Sequence, residues 1–270
     1  MFKPYDCCSF YDEMLDGKNP KKHYVPFYEQ LLKFSNEELL TKHMSAQSSF
    51  LKQGITFTVY GGDGDTERTM PFDFVPIIIP DDVWQTIEKG MKQRVEALNL
   101  FLHDVYHKQL ILEAGVIPRK LIENNPYYSR EVIGMNIPLH NHIFLAGIDL
   151  IRDENGEYRV LEDNLRNPSG ISYVYQNRYV MRKMYPEFFR DYAIETLEKQ
   201  LLQMQKALLS HRPKNLQPDK EPHAVLLTAG IYNSAYYDHV FLAKEMNISL
   251  VEGKDLIVKN NIVYLKTIRG

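Results

Sequence analysis

The chain has 270 residues, of which 44% are hydrophobic and 25% charged, with a formal net charge of -3. A chain of this size makes one large domain or two smaller ones with an ample apolar core. The slightly acidic balance excludes a global basic field for nucleic acid, and the longest apolar runs, such as FVPIII at 74–79, are far too short to span a bilayer.

Its two cysteines, Cys7 and Cys8, are neighbours. Adjacent cysteines rarely bridge each other, so the expectation is no disulfide framework and a reducing compartment. The start, MFKPYDCCSFYDEM, has no apolar h-region. These features predict a cytoplasmic protein without membrane or nucleic-acid partners. The oligomeric state is not encoded in any pattern here.

Residues 1–50 are polar and lean to helix, with YVPFYEQLLKF (24–34) and SNEELLTKHM (35–44) as the clearest pieces. Ser35 followed by Glu38 is a capping-box pattern. ITFTVY (55–60) alternates as a strand, GGDGDT (61–66) reads as a loop, and PFDFVPIIIP (71–80) is a short apolar stretch broken by prolines. From Asp82 a long helix is predicted, with Val83, Trp84, Ile87, Met91, Val95, Leu98, Leu102 and Val105 at helical spacing and Asp81 or Asp82 as cap. A second long helix is predicted from about Pro186 to Ser210, with Phe189, Ala193, Leu197, Leu201, Met204 and Leu208 as its stripe.

SHRPKNLQPDKEPH (210–223) carries three prolines and no periodicity, so it reads as a linker. Beyond it HAVLLTA (223–229) is a strand, SAYYDHVFLAKEM (234–246) a helix and ISLVEG (248–253) a strand. DLIV, KNN and IVYLKT then make a hairpin. Strand, helix and strand with short loops predict a parallel βαβ unit, a Rossmann-like half-domain beginning near residue 222. One such unit with a hairpin makes a poorly closed sheet, so the expectation is that these residues are the front portion of a longer design.

The chemistry concentrates in IFLAGIDLIRDENGEYRVLEDNLRNPSG (143–170). Asn155-Gly156 is a hairpin turn signal. A two-residue turn there sets Asp149 opposite Glu162. A four-residue loop over 153–156 sets Asp149 opposite Val160 and Glu162 one diagonal away. Both registers keep Asp149, Glu162 and Asn164 on one face and turn Asp163 away. A three-residue loop breaks that arrangement. Two facing carboxylates repel, or one takes up a proton. A hard divalent cation such as Mg2+ removes the conflict, with the Asn164 amide as a further oxygen ligand. Arg166 then lies near metal-bound phosphates, and Asn167-Pro168-Ser169-Gly170 turns sharply enough for its backbone N–H groups to approach a ligand. An acidic hairpin standing in water is the competing reading.

The pattern G-x-D-L-x-R-D-x-x-G-x-x-x-V-L-E-D-N-x-R-x-P-S-G resembles the metal-binding hairpin of the circularly permuted ATP-grasp ligases, a group that includes glutathionylspermidine synthase-like proteins. QGITFTVYG (53–61), ERTMPFDFVP (67–76), QRVEALNLFLHDVY (93–106), SGISYVYQNR (169–178) and LTAGIYNSAYYDHVFLAKEM with LVEGKDL (227–256) extend the likeness over nearly the whole chain from about Tyr11. The resemblance implies an α/β fold, with α+β character in its first part. A metal-binding lobe with long helices would fill 1–209, a linker 210–222, and an incomplete Rossmann-like pre-ATP-grasp domain 223–270. It implies ATP and Mg2+ as cofactors, and small-molecule or peptide carboxylate and amine substrates joined through an acyl phosphate. Asp149, Glu162 and Asn164 match the metal ligands and Arg166 the phosphate contact. The lobe that clasps adenine is missing beyond Gly270, and Ile77 stands where the family pattern carries arginine. A truncated or degenerate module that binds nucleotide or metal without catalysis is therefore the alternative; a Mg2+-dependent phosphohydrolase fits the half-domain order poorly.

Other signals are weaker. GGDGDTER (61–68) lacks the G-x-x-x-x-G-K-[ST] spacing and reads as a plain turn, though the family likeness raises Glu67 and Arg68 as further ATP contacts. Asn233 and Ser234, at the predicted helix start after a parallel strand, are either a cap or a ligand-facing terminus. Glu252, at another strand end, is a similar candidate. His140 and His142 lack a third convergent ligand, so a structural role at a strand end is preferred.

Overall fold

The computed structural model describes Cys8, residues 10–59 and residues 66–268, without the side chains of residues 57–59, 66 and 67. In chain order the main elements are α1 (Val25–Leu31), α2 (Asn36–Lys52), β1 (Thr56–Val59), β2 (Thr66–Thr69) and α3 (Asp81–Tyr106). Then come β3 (Gly147–Arg152), β4 (Tyr158–Asn164), α4 (Ile171–Met184), α5 (Glu198–Ser210), β5 (Val225–Thr228), α6 (Tyr236–Glu245), β6 (Ser249–Glu252), β7 (Leu256–Lys259) and β8 (Ile262–Leu265). Residues 60–65 and Cys7 lie outside the described residues. No helix among the described residues is long and apolar enough to cross a membrane.

Local chemistry sets most boundaries. Ser35 starts α2 with a capping box: its Oγ accepts from Glu38 N at 3.2 Å and Glu38 Oε2 accepts from Ser35 N at 2.8 Å. At α3 the expected aspartate cap is corrected. Pro80, extended at φ -59° and ψ 152°, is the N-cap, and its carbonyl accepts from Trp84 N at 2.9 Å. Asp81 and Asp82 stand in the first turn, where negative charge complements the helix dipole. The hairpin β7–β8 turns at Asn260 and Asn261, both left-handed at φ 52° and 60°, as a two-residue hairpin turn of the type I′ kind requires.

The long helix expected over 186–210 is also corrected. Pro186–Phe189 is a single 3-10 turn, and α5 begins only at Glu198. Other side chains take up the backbone carbonyls of the intervening stretch. Arg178 donates to Glu195 O at 2.8 Å and Tyr175 Oη to Leu197 O at 2.6 Å. Tertiary hydrogen bonds here override helical propensity. Between α5 and β5 there is neither helix nor strand, and Arg212 gathers the carbonyls of Gln217 and Lys220 at 2.6 and 3.0 Å.

Two compact units divide the chain. The first is Met1–Tyr5, Met14–Ile77 and Ser169–Gly270; the second is Asp6–Glu13 and Ile78–Pro168. Of the boundaries between them, 77/78 and 168/169 fall in the proline-marked segments. In the first unit Tyr24, Phe27, Phe50, Ile55, Val180, Tyr185 and Phe188 are buried, and Tyr185 stacks on Phe188 with centroids 5.3 Å apart. Burial pushes the Tyr185 phenol up to about 12. In the same unit Leu201 of α5 packs with Leu242 and Met246 beside Leu226 of β5. Strands β5 and β6 pair in parallel, Val225 with Ser249 through Thr228 with Glu252, joined by α6.

In the second unit the apolar stripe of α3, with Trp84, Ile87, Met91 and Val95, lines a groove shared with Ala146, Ile148 and Leu150 of the hairpin. The base of the hairpin closes on Pro168: a Cβ added at Gly147 would meet the Pro168 Cβ at 2.6 Å. Gly147→Ala is therefore expected to lower stability by about 1–3 kcal/mol, the range for overpacking a fitted site, measurable by denaturant unfolding.

Candidate functional site

The β3–β4 hairpin owes its shape to Asp153 and Gly156. Asp153 Oδ1 accepts from the N–H groups of Asn155 and Glu157 at 3.0 and 2.9 Å, and Oδ2 from Arg159 at 2.9 Å. The Glu157 N–H, then Arg159, hold the Asp153 carboxyl below the usual carboxylate range. Gly156 is left-handed at φ 80°, with the Tyr11 ring packed where a Cβ would project. Its N–H donates to Asp153 O at 2.9 Å, and Asp153 N–H donates to Glu157 O at 3.0 Å.

That makes the three-residue loop which the two-residue and four-residue readings exclude. The loop alone would put Leu161 opposite Asp149. A bulge corrects the register instead: pairing runs Arg152 with Tyr158, Ile151 with Arg159 and Leu150 with Val160, then resumes at Asp149 with Glu162. Leu161 is the unpaired residue, 64% exposed. Beyond it Ile148 faces Asp163 and Gly147 faces Asn164.

Opposite residues share a face, so Asp149, Glu162 and Asn164 stand together, and all three are exposed. Asn164 Nδ2 donates to Glu162 Oε1 at 2.9 Å, which leaves the amide oxygen as an acceptor. The other face carries Asp163, which receives a two-pronged bond from Arg94 of α3 at 2.7 and 2.6 Å. That bond holds the Asp163 carboxyl below its ordinary range. Among the described residues no three His, Cys, Asp or Glu side chains gather to hold a metal. The hairpin offers two carboxylates and an amide, an all-oxygen set of the type that suits Mg2+ completed by substrate phosphates and water. Arg166 is exposed, its guanidinium 4.6 Å above the Tyr127 ring.

The remaining candidates lie in the first unit. Ser169 is exposed, and Gly170, at φ 105°, is the N-cap of α4. Gly170 N–H donates to Asp238 Oδ2 at 3.1 Å and Ser172 N–H to Oδ1 at 2.8 Å, so that amide of the turn is committed inside the protein. Asn233 and Ser234 precede α6 without capping it; the N-cap is Ala235, whose N–H donates to Asn233 Oδ1 at 2.9 Å. Arg68 is exposed on β2 opposite Phe57, and Glu67 pairs with Thr58. The Glu67 side chain is outside the described residues. Ile77 is exposed. At the ends of β5 and β6, Thr228 Oγ1 bonds His239 Nδ1 at 2.9 Å, and Lys254 pairs with Glu252 at 2.8 Å.

The sequence model of one family, described as circularly permuted ATP-grasp type 2, matches residues 76–270. The chain belongs to that family. The mixed helix and strand of this permuted ATP-grasp chain agrees with an ATP-grasp-type α/β fold. It is 39% identical to an uncharacterized protein of Synechocystis sp., over 98% of this chain and 55% of the relative. An uncharacterized protein of Mycobacterium tuberculosis is 40% identical over 96% of this chain and 46% of its own length. A Frankia casuarinae protein named "Putative glutamate--cysteine ligase 2-2" is 33% identical over 94% of this chain and 29% of its own length. The permuted ATP-grasp chain thus spans about half the length of the first two relatives.

Sequence reasoning missed Asp238, Arg94 and Thr228. Arg94 had a signal, a cation on the α3 face that also carries the apolar stripe. Asp238 had none, because its two donors are 68 and 66 residues away.

Proposed function

We propose that this chain is the metal-binding part of an ATP-dependent carboxylate–amine ligase. The observation that carries the reading is the facing of Asp149 and Glu162 with Asn164 on one exposed side of the hairpin. Asp149, Glu162 and Asn164 would hold Mg2+, which when bound neutralises phosphate charge. The family's reaction joins a carboxylate to the γ-phosphorus of ATP with loss of ADP. An amine then attacks the acyl carbon, phosphate leaves and an amide remains, with one proton released.

Little covalent chemistry falls to the protein, which positions reactants and stabilises charge. Arg166 is the phosphate contact in this reading. Its stacking on Tyr127 is an exposed cation–π contact worth about 0.5–1 kcal/mol, which a phosphate can displace. Ser169, Gly170, Asn233, Ser234, Glu67 and Arg68 are further ATP contacts. Gly170, whose N–H is taken by Asp238 and whose carbonyl accepts from Tyr173 N–H at 3.1 Å, would contribute close approach through its lack of a side chain. Segment 223–270 is the Rossmann-like pre-ATP-grasp portion, beginning after the linker 210–222, and 1–209 is the metal-binding lobe. Amino-acid or peptide substrates are favoured by the name of the Frankia relative.

The test is ADP release by a protein of the relatives' length, and by this chain alone, against panels of amino-acid carboxylates and amines with Mg2+. Release that needs both partners and yields an amide is the expected result for the longer protein. Release without the amine points to a phosphohydrolase instead. Nucleotide binding with no release from either protein supports the non-catalytic module.

A further inference from the structure

Four imidazoles gather in the second unit, apart from the hairpin's acidic face. His103 stands in the last turn of α3 and His107 is the residue that ends it, while His140 and His142 lie on the segment leading into β3. The His103 ring lies 4.1 Å from that of His107, 4.5 Å from His140 and 5.7 Å from His142, centroid to centroid. His142 Nε2 and His103 Nδ1 are 3.5 Å apart. His107 Nδ1 sits 2.8 Å from His103 O, so that nitrogen carries the proton.

The segment is anchored at its end by buried Ile143. Asn99 Oδ1 on α3 accepts from the N–H groups of His142 and Ile143 at 2.8 and 3.0 Å. Just before them Leu139 and His140 are left-handed, at φ 57° and 53°, a conformation that side chains other than glycine adopt at a cost. A strained turn fastened by one amide and by imidazoles meeting edge to face depends on those rings staying uncharged. As the side chains stand, no three of them converge on a metal position.

We propose that the four-histidine cluster is a pH-operated latch that fastens residues 138–143 to α3 when neutral and releases them on acidification. The other titratable or charged groups facing it are Asp104 and Tyr106 on α3, Lys108 just beyond it, and Tyr128, whose ring stacks on Tyr106 at 5.2 Å. Asp104, whose oxygens accept from Leu110 and Ile111 N–H, both at 2.9 Å, supplies one negative charge against four imidazoles. Desolvation first, then His107 and His140, hold His103 below the ordinary histidine range, Asp104 pulling the other way. Desolvation, then the three other rings, lower His142.

One proton can be shared across the His103–His142 contact. A second brings like charges within one cluster. Protons therefore prefer the open segment. The attachment is complete above the ordinary histidine value of about 6.5 and is lost as pH falls through the lowered values. Release loosens the approach to Gly147 and so to Asp149, but the latch does not depend on the ligase reading.

Amide hydrogen exchange of His142 and Ile143 tests it, corrected for intrinsic rates, at pH values of about 7.5 and about 5.5 on either side of free histidine. Protection should fall severalfold at the lower pH, while the amides in the middle of α2 keep theirs. The double variant His103→Gln, His107→Gln should flatten the response. His140→Gln, at an exposed ring, should fold normally and weaken it, which covers the case in which the double variant does not fold. Equal wild-type protection at both pH values overturns the latch. So does an undiminished fall in His140→Gln together with any folded double variant.

Discussion

Asp149→Asn and Glu162→Gln are each expected to lower ATP-dependent amide formation by at least about a hundredfold in a protein of the relatives' length. The melting temperature should hold or rise. Both carboxylates are exposed on one face and oppose each other across the strands, so removing one relieves repulsion in the absence of a cation. Activity and stability should move independently, which separates ligand loss from misfolding. Asp163→Asn is the internal contrast. It loses a two-pronged bond to Arg94 on the opposite face and should weaken the α3–hairpin packing more than it weakens metal binding. Wild-type turnover in both Asp149→Asn and Glu162→Gln would remove the metal assignment.

Asp238→Ala carries the largest expected loss of stability, about 3 kcal/mol. The side chain is 1% exposed and its two oxygens accept from Gly170 and Ser172 at the start of α4. Hydrogen bonds to a charged acceptor contribute about 1.5–3 kcal/mol each, offset in part by no longer burying the charge. Alanine leaves two amides at a helix N-terminus without their acceptor and a cavity beside them. Asp238→Asn keeps one acceptor oxygen and should cost less than half as much. Denaturant unfolding of the three proteins checks the order; an alanine variant within about 0.5 kcal/mol of wild type would show that the site relaxes freely.

What the sequence made legible was local. The periodicity of α3, the Ser35–Glu38 box and the Asn260–Asn261 turn each rest on residues within a turn or two of one another, and each is present. The facing of Asp149 and Glu162 was also legible, though by a mistaken route. The three-residue loop and the bulge at Leu161 shift the register in opposite senses. Strand alternation carries no mark of an inserted residue, except that Val160 and Leu161 are adjacent apolar residues where one should be polar. Features built from distant residues were not legible. The histidine contact spans 39 positions, and nothing in 186–197 shows that Tyr175 and Arg178 will draw its carbonyls out of a helix.

The bulge also decides where this hairpin tolerates a change of length. Leu161 contributes no partner to the ladder, so a chain lacking it keeps Leu150 with Val160 and Asp149 with Glu162, and loses only local twist. Dropping one residue from β3 between Asp149 and the turn has the opposite result: Ile148 slides into register with Glu162, and the second carboxylate leaves the acidic face. Within one short strand pair, then, one deletion is silent toward the chemistry and its neighbour abolishes it.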